Sequence, residues 1–275
     1  MTAVAMINRK GGVGKTTLCI ALADILTSTF RKRILLIDLD PQANLTLAAI
    51  GSERWEKVDR AKLTLADAFL SAVQGQAAAP HIEVTHRVRG GEPVSIIAST
   101  PRLSDVEAEA MESDQAWRRR VGSPYLVVHQ LLASKLDLYD YVLIDCPPSL
   151  GVITLNGLAI SDGFLMPVMP SAVSMAGLNQ LVDKAEAFAK SLARPIRRFG
   201  TVVNRFEAGA NAHLNALREL RANRAISPVW DAIIRKSVRA EEGFDNPRPL
   251  TLTQRWGTLY PDLHAMAEEF IRRVR

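Results

Sequence analysis

The chain has 275 residues, 48% of them hydrophobic and 23% charged, with a formal net charge of +5 and a pI of about 9.4. That length supplies one large core. The two cysteines, Cys19 and Cys146, exclude a disulfide scaffold and have no metal-binding spacing, and a reducing cytoplasm suits them. No run approaches the roughly 18 apolar residues of a membrane span, and the basic balance permits contact with nucleic acid without requiring it.

Thr2-Ala3-Val4-Ala5-Met6-Ile7 is a short apolar run of the kind that forms a buried strand. It leads into Lys10-Gly11-Gly12-Val13-Gly14-Lys15-Thr16-Thr17, after which Leu18, Ala21, Leu22, Ile25 and Leu26 recur at helical spacing. Glycines between a strand and a helix make a phosphate-binding loop. With no Cβ in the way, backbone N–H groups turn inward around phosphate oxygens, and the helix N-terminus adds partial positive charge. Gly11, Gly12, Val13, Gly14, Lys15, Thr16 and Thr17 would form the cradle. Lys15 would reach the β- and γ-phosphates, and the Thr16 hydroxyl would ligate Mg²⁺. The strict pattern G-x-x-x-x-G-K-[ST] asks for glycine at position 9, where this chain has Arg9, and Lys10 stands just before the glycine pair.

Ile34 to Ile37 form a second apolar run, which delivers Asp38 and Asp40 at its C-terminal end before Pro41. Two acids there suit a Mg²⁺–phosphate site: Asp38 for the metal's water shell, Asp40 for orienting an attacking water. Residues 74–80 read as a surface loop, 94–98 as a strand, and 102–122, rich in charge and ending in Arg118-Arg119-Arg120, as an exposed helix. Tyr141 to Ile144 repeat the strand-plus-acid form and present Asp145, a candidate for holding Mg²⁺ through water. The Pro147-Pro148 pair stiffens the loop beyond it.

Further strands are read at 164–168, 199–203 and 229–234, with Asn204 ending the second of these. Ser174 to Leu192 carry a helical stripe of Met175, Leu178, Leu181, Val182, Ala185, Phe188 and Ala189. The last helix begins near Pro261 and Asp262, and its apolar face (Leu263, Met266, Ala267, Phe270, Ile271, Val274) is expected to dock on the core rather than on a membrane. Strands alternating with helices predict an α/β class: a single P-loop NTPase domain over 1–275, its mostly parallel twisted sheet covered on both faces. With the phosphate loop so near the start, neither a secretory signal nor an N-terminal helix-turn-helix extension is expected.

Three motifs together resemble the ParA/MinD family of deviant P-loop ATPases, most closely its short chromosome- and plasmid-partitioning members: Lys10 to Thr17, Asp38-Leu39-Asp40-Pro41-Gln42, and Asp145-Cys146-Pro147-Pro148-Ser149-Leu150-Gly151. The likeness continues through Thr154-Leu155-Asn156 and Val202-Val203-Asn204-Arg205 and weakens over 233–241, while 51–93 and 102–122 match poorly. The resemblance implies ATP and Mg²⁺ as ligands, with ATP sandwiched in a homodimer. Lys10 would reach across to the partner's phosphates, in the manner of an arginine finger supplied in trans. It implies that Asn204 pairs with the adenine edge. It also implies non-specific binding to double-stranded DNA by the ATP dimer, with Arg235, Lys236 and Arg239 as contacts and Arg197 and Arg198 as a second cluster. The family's proline before the matching arginine is Ile234 here. A ParB-like activator and a cytoplasmic, nucleoid-associated location complete the implied picture, with slow, partner-stimulated hydrolysis.

Four other readings compete with a DNA-segregation switch. A MinD-like or other cargo-positioning ATPase would work on a membrane or a protein scaffold. A tyrosine kinase built on the same loop usually carries a C-terminal tyrosine cluster, and this chain ends without one. A nitrogenase-type electron donor needs paired cluster cysteines, which positions 19 and 146 do not supply. A nucleotide-gated binder without useful hydrolysis has Asp40 against it.

Overall fold

In the computed structural model, residues 1–74, 80–112, 119, 121–171, 175, 177–237 and 248–275 are described. Their strands are β1 (Thr2–Met6), β2 (Ile34–Asp38), β3 (Glu83–Thr85), β4 (Val94–Ile97), β5 (Tyr141–Asp145), β6 (Gly163–Val168), β7 (Arg197–Phe206) and β8 (Val229–Arg235). They form one eight-stranded sheet in the order β3-β4-β2-β5-β1-β6-β7-β8. Every pairing is parallel except that of the edge strand β3 with β4. The α/β class and the mostly parallel sheet read from the sequence are therefore found.

The central strands β1, β2, β5 and β6 are buried nearly end to end, because helices cover both faces and leave no solvated side to alternate against. Alternate residues still divide between the faces. Ala3, Ala5, Leu35 and Ile37 join one apolar cluster, and Val4, Met6, Ile34 and Leu36 join the other.

The first face is covered by α4 (Leu65–Val73), α5 (Leu103–Glu112), α6 (Val127–Leu132), α7 (Val152–Ile160), α8 (Leu178–Ser191) and part of α9 (Asn211–Ala222). The second is covered by α1 (Lys15–Ser28), α2 (Asn44–Ile50), α3 (Ser52–Arg60), α10 (Leu252–Trp256) and α11 (Tyr260–Arg273). Helix α11 buries Leu263, Met266, Ala267 and Phe270, so its apolar face is spent in the core. Its Glu269 also blunts the sheet edge, accepting hydrogen bonds from the Asp231 and Ala232 amides at 3.2 and 2.9 Å. No described helix is long and apolar enough to cross a membrane.

Several expectations shift. The helix expected over 174–192 is described as α8, Leu178–Ser191. The helix expected to be exposed over 102–122 is α5, and it buries Leu103, Val106 and Ala110, so it is amphipathic and docked. Of the Arg118-Arg119-Arg120 run only Arg119 is described, and the loop expected over 74–80 falls mostly on residues outside the description. Strand β3 was not anticipated, since three residues carry no readable alternation.

Candidate functional site

Parallel strands fix where the chemistry gathers. Ligands collect beyond the carboxyl ends of the strands, where β1 exits into the glycine loop between its neighbours β5 and β6. Asn8 pins that exit. Its Nδ2 donates to the Pro167 carbonyl on the neighbouring strand β6 at 2.7 Å, and its Oδ1 accepts the Lys10 amide at 2.9 Å. Gly12 and Gly14 take φ of +74° and +95°, backbone that side chains rarely adopt. At Gly14 a Cβ would lie 2.1 Å from the Asn204 Nδ2. That nitrogen donates to the Val13 carbonyl at 2.8 Å, so the loop is gripped from β7 as well.

Lys15 is 7% exposed, and its Nζ donates to the Asn8 carbonyl at 3.1 Å. The ammonium is thus held inside the curl of its own loop. Gly11, Gly12, Gly14, Lys15, Thr16 and Thr17 line a cleft of about 540 Å³. Val13 is buried, so only its backbone takes part. Lys10 is exposed and does not line the cleft of its own chain.

Strand register brings the two acidic motifs together: Asp38 is the direct partner of Asp145 across β2 and β5. Both carboxyls are fully buried. Asp38 is well supplied with donors. Its Oδ2 accepts from the Thr46 amide and hydroxyl at 2.9 and 2.7 Å, and its Oδ1 accepts from the Asp40 amide at 3.1 Å. Burial outweighs these bonds and pushes the Asp38 carboxyl up to about 7, with the Asp40 charge adding to the rise.

Asp145 is pushed well above the ordinary carboxylate range, first by burial and then by the neighbouring Asp38, against the pull of Thr16 and Lys15. Neither of its oxygens is met by a donor in full hydrogen-bond geometry, the Thr16 hydroxyl beside them being the one group that pulls on the carboxylate in this way. A buried acid so short of donors is costly, and here it points to chemistry. Asp145, Asp38 and the Thr16 hydroxyl form a hard-oxygen donor set that fits Mg²⁺. The described residues hold no cluster of three or more His, Cys, Asp or Glu placed for a metal. A cation held by so few protein groups takes the rest of its shell from water and phosphate, as Mg²⁺ does.

Asp40 lines the cleft with Gln42 and Asn44. Its Oδ1 accepts the Gln42 amide at 3.0 Å, which sets the carboxylate's direction.

This arrangement makes a stability prediction. A carboxyl whose pKa is higher folded than unfolded adds stability below its unfolded value and loses it as pH rises through the folded one. The nucleotide-free protein should therefore lose stability as pH climbs from about 4 through 7. Asp145→Asn removes one of the two opposed charges and should stabilise the nucleotide-free fold at pH 8 by about 1–3 kcal/mol. Thermal melts of both proteins without nucleotide measure this, and the gap should narrow at pH 5. A variant that melts lower at pH 8 would show that Asp145 is not a strained acid.

Among the described residues, the basic side chains expected to meet DNA do not form one open patch. Arg235 lines the cleft and grips Asp262 with both ends of its guanidinium, Nε to Oδ2 at 2.8 Å and Nη2 to Oδ1 at 3.0 Å. Lys236 pairs with Glu207 at 2.8 Å. Arg239 lies outside the described residues. Arg197 and Arg198 sit at the start of β7, the far end of the sheet from the cleft, where Arg198 pairs with Glu186 at 3.0 Å. Spacing along the chain counted these charges but could not reveal the carboxylates facing them.

Sequence reasoning missed Asn8 and Thr46, which position the loop and Asp38, and the apolar cleft wall of Ile234, Trp256, Leu259 and Leu263. The only signal for Asn8 was a polar residue closing an apolar strand, and Thr46 gave none.

Comparison with known proteins agrees with this fold. Residues 1–197 match the family described as AAA domain. The chromosome partitioning protein ParA of Myxococcus xanthus (strain DK1622) is 31% identical over 249 residues, 90% of this chain and 80% of that protein. Apo McdA from Cyanothece superposes with a TM-score of 0.77 over 100% of both chains at 21% identity. A cobyrinic acid a,c-diamide synthase from Mycobacterium smegmatis, solved with a bound ATP analog and magnesium, gives 0.76 at 23% identity, over 99% of this chain and 94% of its own. At those identities the two structures speak to the fold.

Proposed function

Because the chain belongs to the ParA/MinD family of P-loop ATPases, we propose that it is an ATP-dependent dimerising switch that binds double-stranded DNA without sequence preference. With a ParB-like partner it would drive partitioning of a plasmid or chromosome, as a single domain in the cytoplasm on the nucleoid. The observation that carries the nucleotide half is the pair of buried acids, Asp38 and Asp145, at neighbouring strand ends within reach of Thr16 and Lys15 of the glycine loop. ATP is the substrate and Mg²⁺ the metal.

Backbone amides from Gly11 to Thr17 hold the phosphates, and Lys15 offsets charge on the β- and γ-oxygens. Thr16, Asp38 and Asp145 would hold Mg²⁺, the acids through water, and the cation would supply positive charge to offset that of the phosphates. Asp40, aimed by the Gln42 amide, orients the water that attacks the γ-phosphorus. The bond to the β-phosphate oxygen breaks as the new P–O bond forms, releasing ADP and phosphate. Lys10, turned away from its own cleft, contacts the phosphates of the other subunit. Asn204 has one N–H committed to Val13, which leaves its second N–H and its Oδ1 for the adenine edge.

The DNA half rests on the family and on the net charge of +5. Dimerisation would join two weak basic surfaces into one. Duplex DNA should be bound only with a slowly hydrolysed ATP analogue, whatever its sequence. Each neutralised phosphate should add about 0.9 to the slope of log affinity against log salt. Filter binding across a salt series measures this. An ATP-loaded dimer that ignores duplex DNA at low salt would end the segregation reading.

The second reading is a cargo-positioning ATPase on a protein scaffold. The internal pairing of Arg235 with Asp262 and of Lys236 with Glu207 favours it. Burial of the α11 apolar face counts against its membrane version.

A further inference from the structure

Arg205 stands out on its backbone. From Val203 to Phe206, β7 takes three steps while β8 takes two, from Ile233 to Arg235. The ladder therefore holds one extra residue at Asn204-Arg205, a β-bulge. Bulges bend a strand and re-aim its side chains, and they recur beside active sites. Arg205 takes φ +55°, left-handed backbone that a non-glycine residue adopts at a cost. The other described non-glycine residues with positive φ are Arg31, Ala43, Lys62 and Ala193, and none of them lines the cleft. Strain at this point is kept where glycine would relieve it.

The bulge places two side chains with different tasks. Asn204 turns inward, buried, onto the glycine loop. Arg205 is exposed and lines the same cleft. The other two cations lining that cleft are engaged, Lys15 with the Asn8 carbonyl and Arg235 with Asp262. The Arg205 side chain makes no hydrogen bond or ion pair with any described residue, and the nearby Glu207 carboxylate is taken by Lys236. The cleft has two chemically distinct ends. The glycine loop supplies amides and an ammonium for phosphates. The end formed by β8, α10 and α11 is walled by Ile234, Trp256, Leu259 and Leu263, each at most 4% exposed, so its environment is apolar and nearly closed to water rather than polar.

We propose that Arg205 is a nucleobase-binding residue: its guanidinium plane, delivered by the bulge, stacks on the purine and covers the side opposite the apolar wall. Arginine suits this because its charge is spread over a plane that stacks on aromatic faces, and it is weakly hydrated. Lysine, a strongly hydrated point charge, does not substitute for it. The inference rests on the nucleotide-binding reading above and extends it from the phosphates to the base.

Isothermal titration of the full chain tests it, using MgATP, MgADP and magnesium tripolyphosphate, which has the phosphates and no base. Arg205→Ala should weaken ATP and ADP roughly tenfold. It should leave tripolyphosphate unchanged. Arg205→Lys should lose nearly as much as alanine. Arg205→Gly, which relieves the left-handed strain, should lose the same affinity with no loss of melting temperature, separating binding from folding. Unchanged ATP affinity in Arg205→Ala would overturn the proposal. Equal losses for ATP and tripolyphosphate would overturn it too, by making Arg205 a phosphate ligand. Wild-type protein that binds neither would overturn the nucleotide reading itself, an outcome distinct from a defect confined to the variants.

Discussion

Lys15→Ala abolishes measurable ATP binding while leaving the protein folded. Lys15 is the buried cation of the loop, and its Nζ is already inside the curl, 3.1 Å from the Asn8 carbonyl. Little ordering remains to be done when phosphate arrives. Truncating one member of a buried, hydrogen-bonded charge pair costs about 2–5 kcal/mol, much of it from leaving the other charge unanswered. A polyphosphate facing the loop without Lys15 should bind roughly 30-fold to several thousand-fold more weakly. The fold survives because Lys15 contributes a single hydrogen bond to a loop that Asn8 and Asn204 pin independently. Lys15→Arg should fare little better, since a planar fork does not fit a seat shaped for a compact ammonium. Titration calorimetry with MgATP, with melting curves as the control for folding, decides it. Ordinary affinity in Lys15→Ala would sink the phosphate-loop assignment.

Much of this molecule was legible in its sequence, and the parts that were not share a cause. The apolar runs at 34–37, 141–144 and 164–168 became central strands because a parallel sheet buried on both faces needs unbroken hydrophobicity there. The glycine loop and its helix were readable because local backbone demands fix them. What escaped reading depends on partners distant in the chain. Asp24, one turn from the end of α1, would pass for a surface acid. It is fully buried, with Arg87 Nε donating to its Oδ1 at 2.9 Å and Arg255 Nε 3.5 Å from its Oδ2. Arg235 looked like an open cation until Asp262 appeared beside it. Asp38 and Asp145 could each be named as acids at strand ends, but only the register of β2 against β5 makes them neighbours. The bulge at Arg205 has no signal at all, since left-handed backbone is announced by glycine, asparagine or aspartate and not by arginine.

Lys10→Ala should leave ATP binding by the monomer within about threefold of wild type and abolish the ATP-dependent dimer. The two effects separate because Lys10 is divided between backbone and side chain. Its amide is tied to Asn8 Oδ1 at 2.9 Å, which fixes where the residue starts, and alanine keeps that bond. Its side chain is exposed, lies off the cleft of its own chain and makes no ion pair with a described residue. A cation anchored at the root and free at the tip, on the rim of a phosphate site, suits a second phosphate site facing it. In a two-fold dimer the contact occurs twice, so one substitution removes both. At about 2–5 kcal/mol for each desolvated charge pair, the dimer should weaken by at least 1000-fold, roughly, beyond the reach of sizing chromatography. The adjacent Arg9, equally exposed, is the control: Arg9→Ala removes the same charge without the seat beside the glycine pair and should still dimerise with a slowly hydrolysed ATP analogue. If both variants weaken the dimer alike, general electrostatics holds it together. If Lys10→Ala dimerises fully, the contact across the interface does not exist, and the nucleotide-sandwich switch loses its trigger.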